Sequence, residues 1–217
     1  MQEDGLQWQG NFFFREDLLF LGQPLRLRLR YQYDIFSIYM NLSSEYLKVV
    51  KQLKLMETAD LLLVSIQDQK MYHQKEGKTV KTYVISTSLN PPNCQEDSFG
   101  TPWGLHEICE IIGKGQPLGM VFEARLAQGR CFWECEPSAR KKNLITTRIL
   151  RLRGLEEGLN SGGDSDSFAR FVYIHGTNHE GRLGKPSSSG CIQVSNQDAV
   201  CLAAEIPQGT HLYISLN

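Results

Sequence analysis

No apolar run in this chain approaches the length that crosses a bilayer. Runs such as Leu61-Leu62-Leu63-Val64 are short, whereas a spanning helix needs about 20 residues. A secretion signal is not readable either. Phe12-Phe13-Phe14 is cut off by Arg15-Glu16-Asp17 before an apolar h-region forms. An excess of positive charge is also lacking, since 23 basic residues face 24 acidic ones. A protein held to nucleic acid through phosphate contacts is usually more basic, so no nucleic-acid partner is expected. Disulfide density is low, with six cysteines spread irregularly over 217 residues and no Cys-x-x-Cys pair. That excludes a small stapled scaffold. The five histidines do not supply zinc-site spacing, so no metal is expected. No Gly-x-Ser-x-Gly elbow occurs, which removes the usual serine-hydrolase reading of Ser187-Ser188-Ser189.

The chain does have the material for a core. Apolar residues make up 41% and charged residues 22%, which excludes a disordered polymer. The length suits one domain with an extension, or one larger all-β domain. In the first 40 residues the alternation Pro-Leu-Arg-Leu-Arg-Leu-Arg reads as a half-buried strand with a basic face. Arg26, Arg28 and Arg30 on that face admit a second reading, a track for an anionic glycan. Residues 43–57 read as a helix with Ser43 as its cap. Tyr46, Val49, Val50, Leu53 and Met56 form its apolar stripe.

Short strands follow. Leu61–Ile66, Thr79–Ser88, Gly119–Arg125, Cys131–Cys135, Leu144–Leu152 and Phe171–His175 carry strand patterns, with turn residues between several of them. On a strand, Cys131 and Cys135 stand about 13 Å apart, too far for a disulfide. Cys94, in a polar loop, reads as exposed. Gly154–Ser167 is rich in Gly, Ser, Asp and Asn and reads as a long mobile loop. A helix from Gln197 to Glu205, capped by Ser195 or Asn196, precedes a last strand from His211 to Leu216. The pattern is that of a mostly β protein, a sandwich or barrel.

The chemistry concentrates between Phe171 and Asp198. His175 ends a strand and is followed by Gly176, and Cys191 follows a Ser/Gly turn sixteen residues later. A free thiol titrates near 8.5 and attacks as the thiolate, so a nearby imidazole has to take its proton. Backbone N–H groups of Ser189, Gly190 and Cys191 are placed to converge on an oxyanion. Tyr173, two residues before His175, shares its face of the strand. Trp103 and His106 flank a Thr-Pro-x-Gly turn and read as core packing or as substrate walls.

These residues resemble the catalytic signature of the L,D-transpeptidase family (the YkuD domain). The family pattern is a strand ending His-Gly-Thr, then Ser/Thr-His-Gly-Cys-Ile-Arg, then Asn. Here it reads His175-Gly176-Thr177, Ser188-Ser189-Gly190-Cys191-Ile192-Gln193, and Asn196. Ser86-Thr87-Ser88 with Thr101-Pro102-Trp103-Gly104 resembles a further family segment, and the likeness covers roughly residues 59–216.

The resemblance implies an L,D-transpeptidase-like β-sandwich over 59–217, with one short helix near the C-terminus. Residues 1–58 would be an N-terminal extension containing a helix. It implies Cys191 as nucleophile, His175 as base and the Gly176 carbonyl as its orienter. Tyr173, Ser188, Gln193, Asn196 and Trp103 are candidates for binding substrate. No cofactor is implied. The implied partners are peptidoglycan stem peptides, the implied location is the periplasm or cell wall, and carbapenems are implied acylating agents. Two positions depart from the family: Ser189 replaces the usual His and Gln193 the usual Arg. The loss of a guanidinium removes a bidentate partner for carboxylate. An L,D-carboxypeptidase and a non-catalytic peptidoglycan-binding protein are the alternative readings.

Overall fold

The computed structural model describes residues 41–217. The strand and basic track expected before residue 41, with Arg26, Arg28 and Arg30, lie outside the described residues. Helix α1 occupies residues 41–52. It stops earlier than the apolar spacing suggests. Lys54 turns left-handed at φ 55°, and the Leu55 N–H closes onto the Val50 carbonyl at 3.0 Å. This is the hydrogen-bond pattern of a helix C-cap. Met56 is therefore not part of the stripe and is exposed. Ser43 sits inside the helix and accepts from Gln74 Nε2 at 3.0 Å. Tyr46 and Val50 are buried, and Tyr46 Oη meets His211 Nδ1 at 3.0 Å.

Ten strands follow: β1 (Asp60–Ser65), β2 (Lys70–Lys75), β3 (Lys78–Val84), β4 (Gly104–Ile112), β5 (Met120–Glu123), β6 (Leu126–Cys131), β7 (Ile145–Gly154), β8 (Tyr173–Thr177), β9 (Ile192–Val194) and β10 (His211–Ser215). They form one hydrogen-bonded sheet in the order β3-β2-β1-β10-β4-β7-β5-β6, with β8 branching from β7 and β9 pairing β8. A four-residue helix, α2 (Pro137–Arg140), and a longer one, α3 (Asn196–Glu205), complete the domain. Ser195 caps α3, its hydroxyl accepting from the Asp198 N–H at 3.0 Å, as Ser does at helix starts.

The sheet curls around one main core. Leu62, Met71, Tyr83, Ile108, Leu150, Ile174, Ile192 and Leu212 come from eight different strands, and Ala199 and Leu202 of α3 join them. Burying each such aliphatic side chain contributes roughly 1.5–3 kcal/mol. Residues 61 to 64 of β1 are buried on both faces, which explains their unbroken apolar run.

Three local expectations are corrected. Cys131–Cys135 is not a strand. β6 ends at Cys131, and Phe132–Glu134 forms a 3-10 turn. Glu134 accepts from the Cys131 N–H at 2.6 Å and draws the chain into that turn. Both cysteines are unpaired. Cys94 is buried, not exposed. The segment after β7 is pinned and not loose. Asn160 is fully buried and donates to the carbonyls of Trp103 (2.9 Å) and Leu105 (3.2 Å). Glu156 accepts from the Leu105 N–H at 2.6 Å. Polar residues here satisfy backbone groups that burial would otherwise leave unpaired.

Candidate active site

The pairing of β7, β8 and β9 builds the site. Ile174 stands opposite Ile192 and His175 opposite Gln193 in the parallel β8–β9 ladder. Ile174 and Ile192 turn into the main core. By alternation, His175 and Tyr173 face the other side of the sheet. Cys191 immediately precedes β9, and it packs on the cluster of Met120, Phe122, Ile149 and Tyr173. That cluster occupies the face opposite the main core, so thiol and imidazole share one side. His175 lies in the middle of β8, not at its end, because the ladder continues through Thr177.

A bulge in β7 shapes this place. The register with β8 slips between Thr146 and Ile149, and Thr147 is left-handed at φ 68°. Bulges re-aim side chains beside active sites. Here Thr146 Oγ1 donates to Asn196 Oδ1 at 2.6 Å, and Thr147 Oγ1 meets the same atom. Asn196 is buried, and its Nδ2 donates to the Thr177 carbonyl (2.8 Å) and to Glu180 Oε1 (2.6 Å). It braces the end of β8 from within. Gly176 is needed at this crossing, because a Cβ there would stand 2.6 Å from Asn196 Oδ1.

His175 is buried, and its Nδ1 lies 2.8 Å from the Gly176 carbonyl. A carbonyl only accepts, so Nδ1 carries the proton and Nε2 is the free base. Burial pushes the imidazole down to about 4, against the hydrogen bond to Gly176, which raises it. Cys191 retains some exposed surface, but protein crowds its sulfur. Burial pushes the thiol up to about 11, partly offset by backbone hydrogen bonding at Tyr173 and by the charge of Arg170. Its Sγ donates to the Phe171 carbonyl at 3.6 Å. Burial thus favours the neutral form of both groups.

The turn before the cysteine is held from both sides. Gly190 has φ 122°, a region that favours glycine. Its N–H points to Ser188 Oγ at 3.3 Å, and that hydroxyl donates to the Cys191 carbonyl at 2.5 Å. Ser189 is exposed. Gln193 is buried, and its Oε1 accepts from Ser187 Oγ at 2.7 Å. Trp103 is half-buried and packs against the main core. His106 is fully buried between Ser167 Oγ (2.9 Å) and the Gly104 carbonyl (3.1 Å), so it is part of the packing.

Sequence reasoning missed three arginines. Arg170 ties the 93–100 loop to the turn before β8. Arg151 stacks on Phe168, with Cζ 3.4 Å from the ring centroid. Arg125 reaches Tyr173 Oη at 3.2 Å. Isolated arginines in loops and on strand faces carry no spacing signal, so only the fold brings the charge of Arg170 to bear on Cys191 and sets Arg125 and Arg151 beside the Phe171 ring. Among the described residues no group of three or more His, Cys, Asp or Glu side chains is arranged to hold a metal. No helix among them is long and apolar enough to cross a membrane.

Residues 59–214 match the family of L,D-transpeptidase catalytic domains, YkuD. The Bacillus subtilis protein YkuD, named as an L,D-transpeptidase, is 45% identical over 42 residues, which are 19% of this chain and 26% of that protein. YqjB of the same organism, named likewise, is 46% identical over 46 residues, 21% of this chain and 26% of its own. The match thus spans about a quarter of these relatives' length. Among solved structures, an L,D-transpeptidase from Mycobacterium smegmatis is similar at TM-score 0.43 and 16% identity, over 72% of this chain and 58% of that one. L,D-transpeptidase 3 from Mycobacterium tuberculosis, with a faropenem-derived adduct, is similar at TM-score 0.46 and 13% identity, over 72% and 60%.

Proposed function

The chain belongs to the family of L,D-transpeptidase catalytic domains, and from that premise we propose that it transfers acyl groups between peptidoglycan stem peptides through a thioester on Cys191. The observation that carries this reading is the contact of His175 Nδ1 with the Gly176 carbonyl. With Nδ1–H held by the Gly176 carbonyl at 2.8 Å, Nε2 is the acceptor on the face that Cys191 shares.

In the first step His175 Nε2 takes the thiol proton as Sγ attacks the carbonyl of the third stem residue. The tetrahedral oxyanion meets the backbone N–H groups of Ser189 and Cys191, since that of Gly190 is turned to Ser188 Oγ. The C–N bond then breaks, the imidazolium returns its proton to the leaving D-Ala amine, and the thioester remains. In the second step an amine of another stem attacks the thioester carbonyl, gives its proton to His175, and expels the thiolate, which is reprotonated. Water in place of the amine gives a shortened stem, the carboxypeptidase outcome. A thiol and an imidazole that rest neutral need no separated charges in the buried site before substrate arrives, and bound substrate supplies the dipoles that make the transfer favourable. The substrate class carries with it a location at the cell wall, where that polymer is.

The experiment is incubation of tetrapeptide muropeptides with the protein and with Cys191→Ala, with products read by mass. A dimer or a shortened monomer that is absent with the variant is expected. Their ratio separates transpeptidase from carboxypeptidase. Stem binding without either product would instead leave the chain a peptidoglycan-binding protein.

A further inference from the structure

The β5–β6 hairpin turns on Ala124 and Arg125, between the paired residues Glu123 and Leu126. Both turn residues are left-handed, at φ 45° and 71°. Two-residue loops of this kind favour Asn-Gly, and an arginine there is a strained choice. The strain aims a guanidinium at the site. Arg125 Nη1 donates to Tyr173 Oη at 3.2 Å, and Cζ lies 4.9 Å from the Phe171 ring centroid. Tyr173 belongs to the cluster on which Cys191 packs. Phe171, itself left-handed at φ 57°, offers its carbonyl to the Cys191 thiol at 3.6 Å. Arg125 is thus one phenol and one ring away from the nucleophile.

Glu110 acts on its charge only from a distance. Among the described residues no carboxylate lies within ion-pairing distance of Arg125. The neighbouring Arg151, by contrast, is occupied by Glu110 at 3.4 Å and by the Phe168 carbonyl at 3.1 Å. Gln193, the side chain two residues after the cysteine, carries no charge and cannot take over the role. It is buried, and its amide oxygen is used by Ser187.

We infer that Arg125 is the specificity-determining residue for a carboxylate-terminated donor, pairing with the terminal carboxylate of the residue that leaves. This rests on the acyl-transfer reading of the Cys191 site. The hairpin supplies from across the sheet the guanidinium that position 193 lacks. The phenol of Tyr173 and the ring of Phe171 hold the guanidinium beside the site, and its fork suits two parallel N–H···O bonds to a carboxylate.

The test is binding of a tetrapeptide stem, as free acid and as C-terminal amide, to Cys191→Ala with and without Arg125→Asn. Asparagine suits a left-handed turn, so the hairpin is kept while the charge is removed. The acid is expected to bind about 10- to 100-fold more tightly than the amide, the range of a charge-assisted hydrogen bond. Arg125→Asn should reduce that preference to about threefold or less, and Arg125→Lys should restore part of it. An undiminished acid preference in Arg125→Asn overturns the inference, as does equal binding of acid and amide by Cys191→Ala. Thioester formation on the chain with Cys191 intact, read by intact mass, is scored separately. A thioester with unchanged acid preference in Arg125→Asn sinks only the role of Arg125. An Arg125-dependent acid preference without any thioester sinks only the acyl-transfer reading.

Discussion

Arg170 donates from Nη2 to the Gly100 carbonyl at 2.9 Å, and the same carbonyl lies 3.5 Å from where a Cβ on Gly190 would stand. The guanidinium also reaches the carbonyls of Asn93 (3.2 Å) and Cys94 (2.9 Å) and Ser98 Oγ (3.3 Å). One side chain in the turn before β8 thereby holds the loop against which the turn before Cys191 rests. Under the acyl-transfer reading Arg170 acts as a positioning residue. Arg170→Met is expected to lower kcat by about 10- to 100-fold with KM nearly unchanged, because misplacement by about an ångström has that scale of effect. Arg170→Lys should recover part of it. A variant that loses only thermal stability, at full kcat, would contradict this.

The protonated resting thiol has a kinetic consequence. With Cys191 pushed up to about 11, alkylation by iodoacetamide in the absence of substrate should rise about tenfold per pH unit from pH 7 to 10. A rate that levels off below pH 8 would mean a thiolate already paired with an imidazolium.

Acid should weaken the fold through its histidines. Burial holds both His106 and His175 down to about 4. The unfolded chain binds protons near 6.5 and the folded chain does not, so this stabilisation is complete above about pH 6.5. It is lost as pH falls toward 4, at up to about 1.4 kcal/mol per pH unit for each residue. Denaturant unfolding at pH 7.0, 5.5 and 4.5 measures the slope. His106→Gln, away from the reacting atoms, should make it shallower.

Gln193→Arg, the substitution that brings the motif closer to its family, should not improve this chain. Position 193 is buried and presents an acceptor to Ser187. A guanidinium there leaves the Ser187 hydroxyl without its acceptor and is itself poorly solvated. The expected loss is about 1–3 kcal/mol in denaturant unfolding. An unchanged stability with higher turnover would show that the pocket admits the larger head.

Much of the site was legible because it is local. His175-Gly176 and the Ser-Gly-Cys turn are contiguous motifs, and Ser195 capping α3 follows from chemistry within four residues. Apolar runs and alternation located most of the strands. Missed were β2, β4, β6 and β9. Lys-Met-Tyr-His-Gln-Lys in β2 is polar at both ends and its middle alternates poorly, yet four of its residues are buried between β1 and β3. Burial there comes from neighbours far along the chain, and no window of sequence contains them.

What the sequence determined by itself is the identity and order of the candidate groups, because thiol, imidazole and glycine turn follow one another along the chain. Tertiary structure alone decided their environment. The β7 bulge, the buried Asn196 network, the raised thiol and lowered imidazole, and the meeting of Arg125 and Arg151 on the Phe171 ring all depend on residues distant along the chain. Desolvation and charge act through space, and only the folded sheet sets those distances.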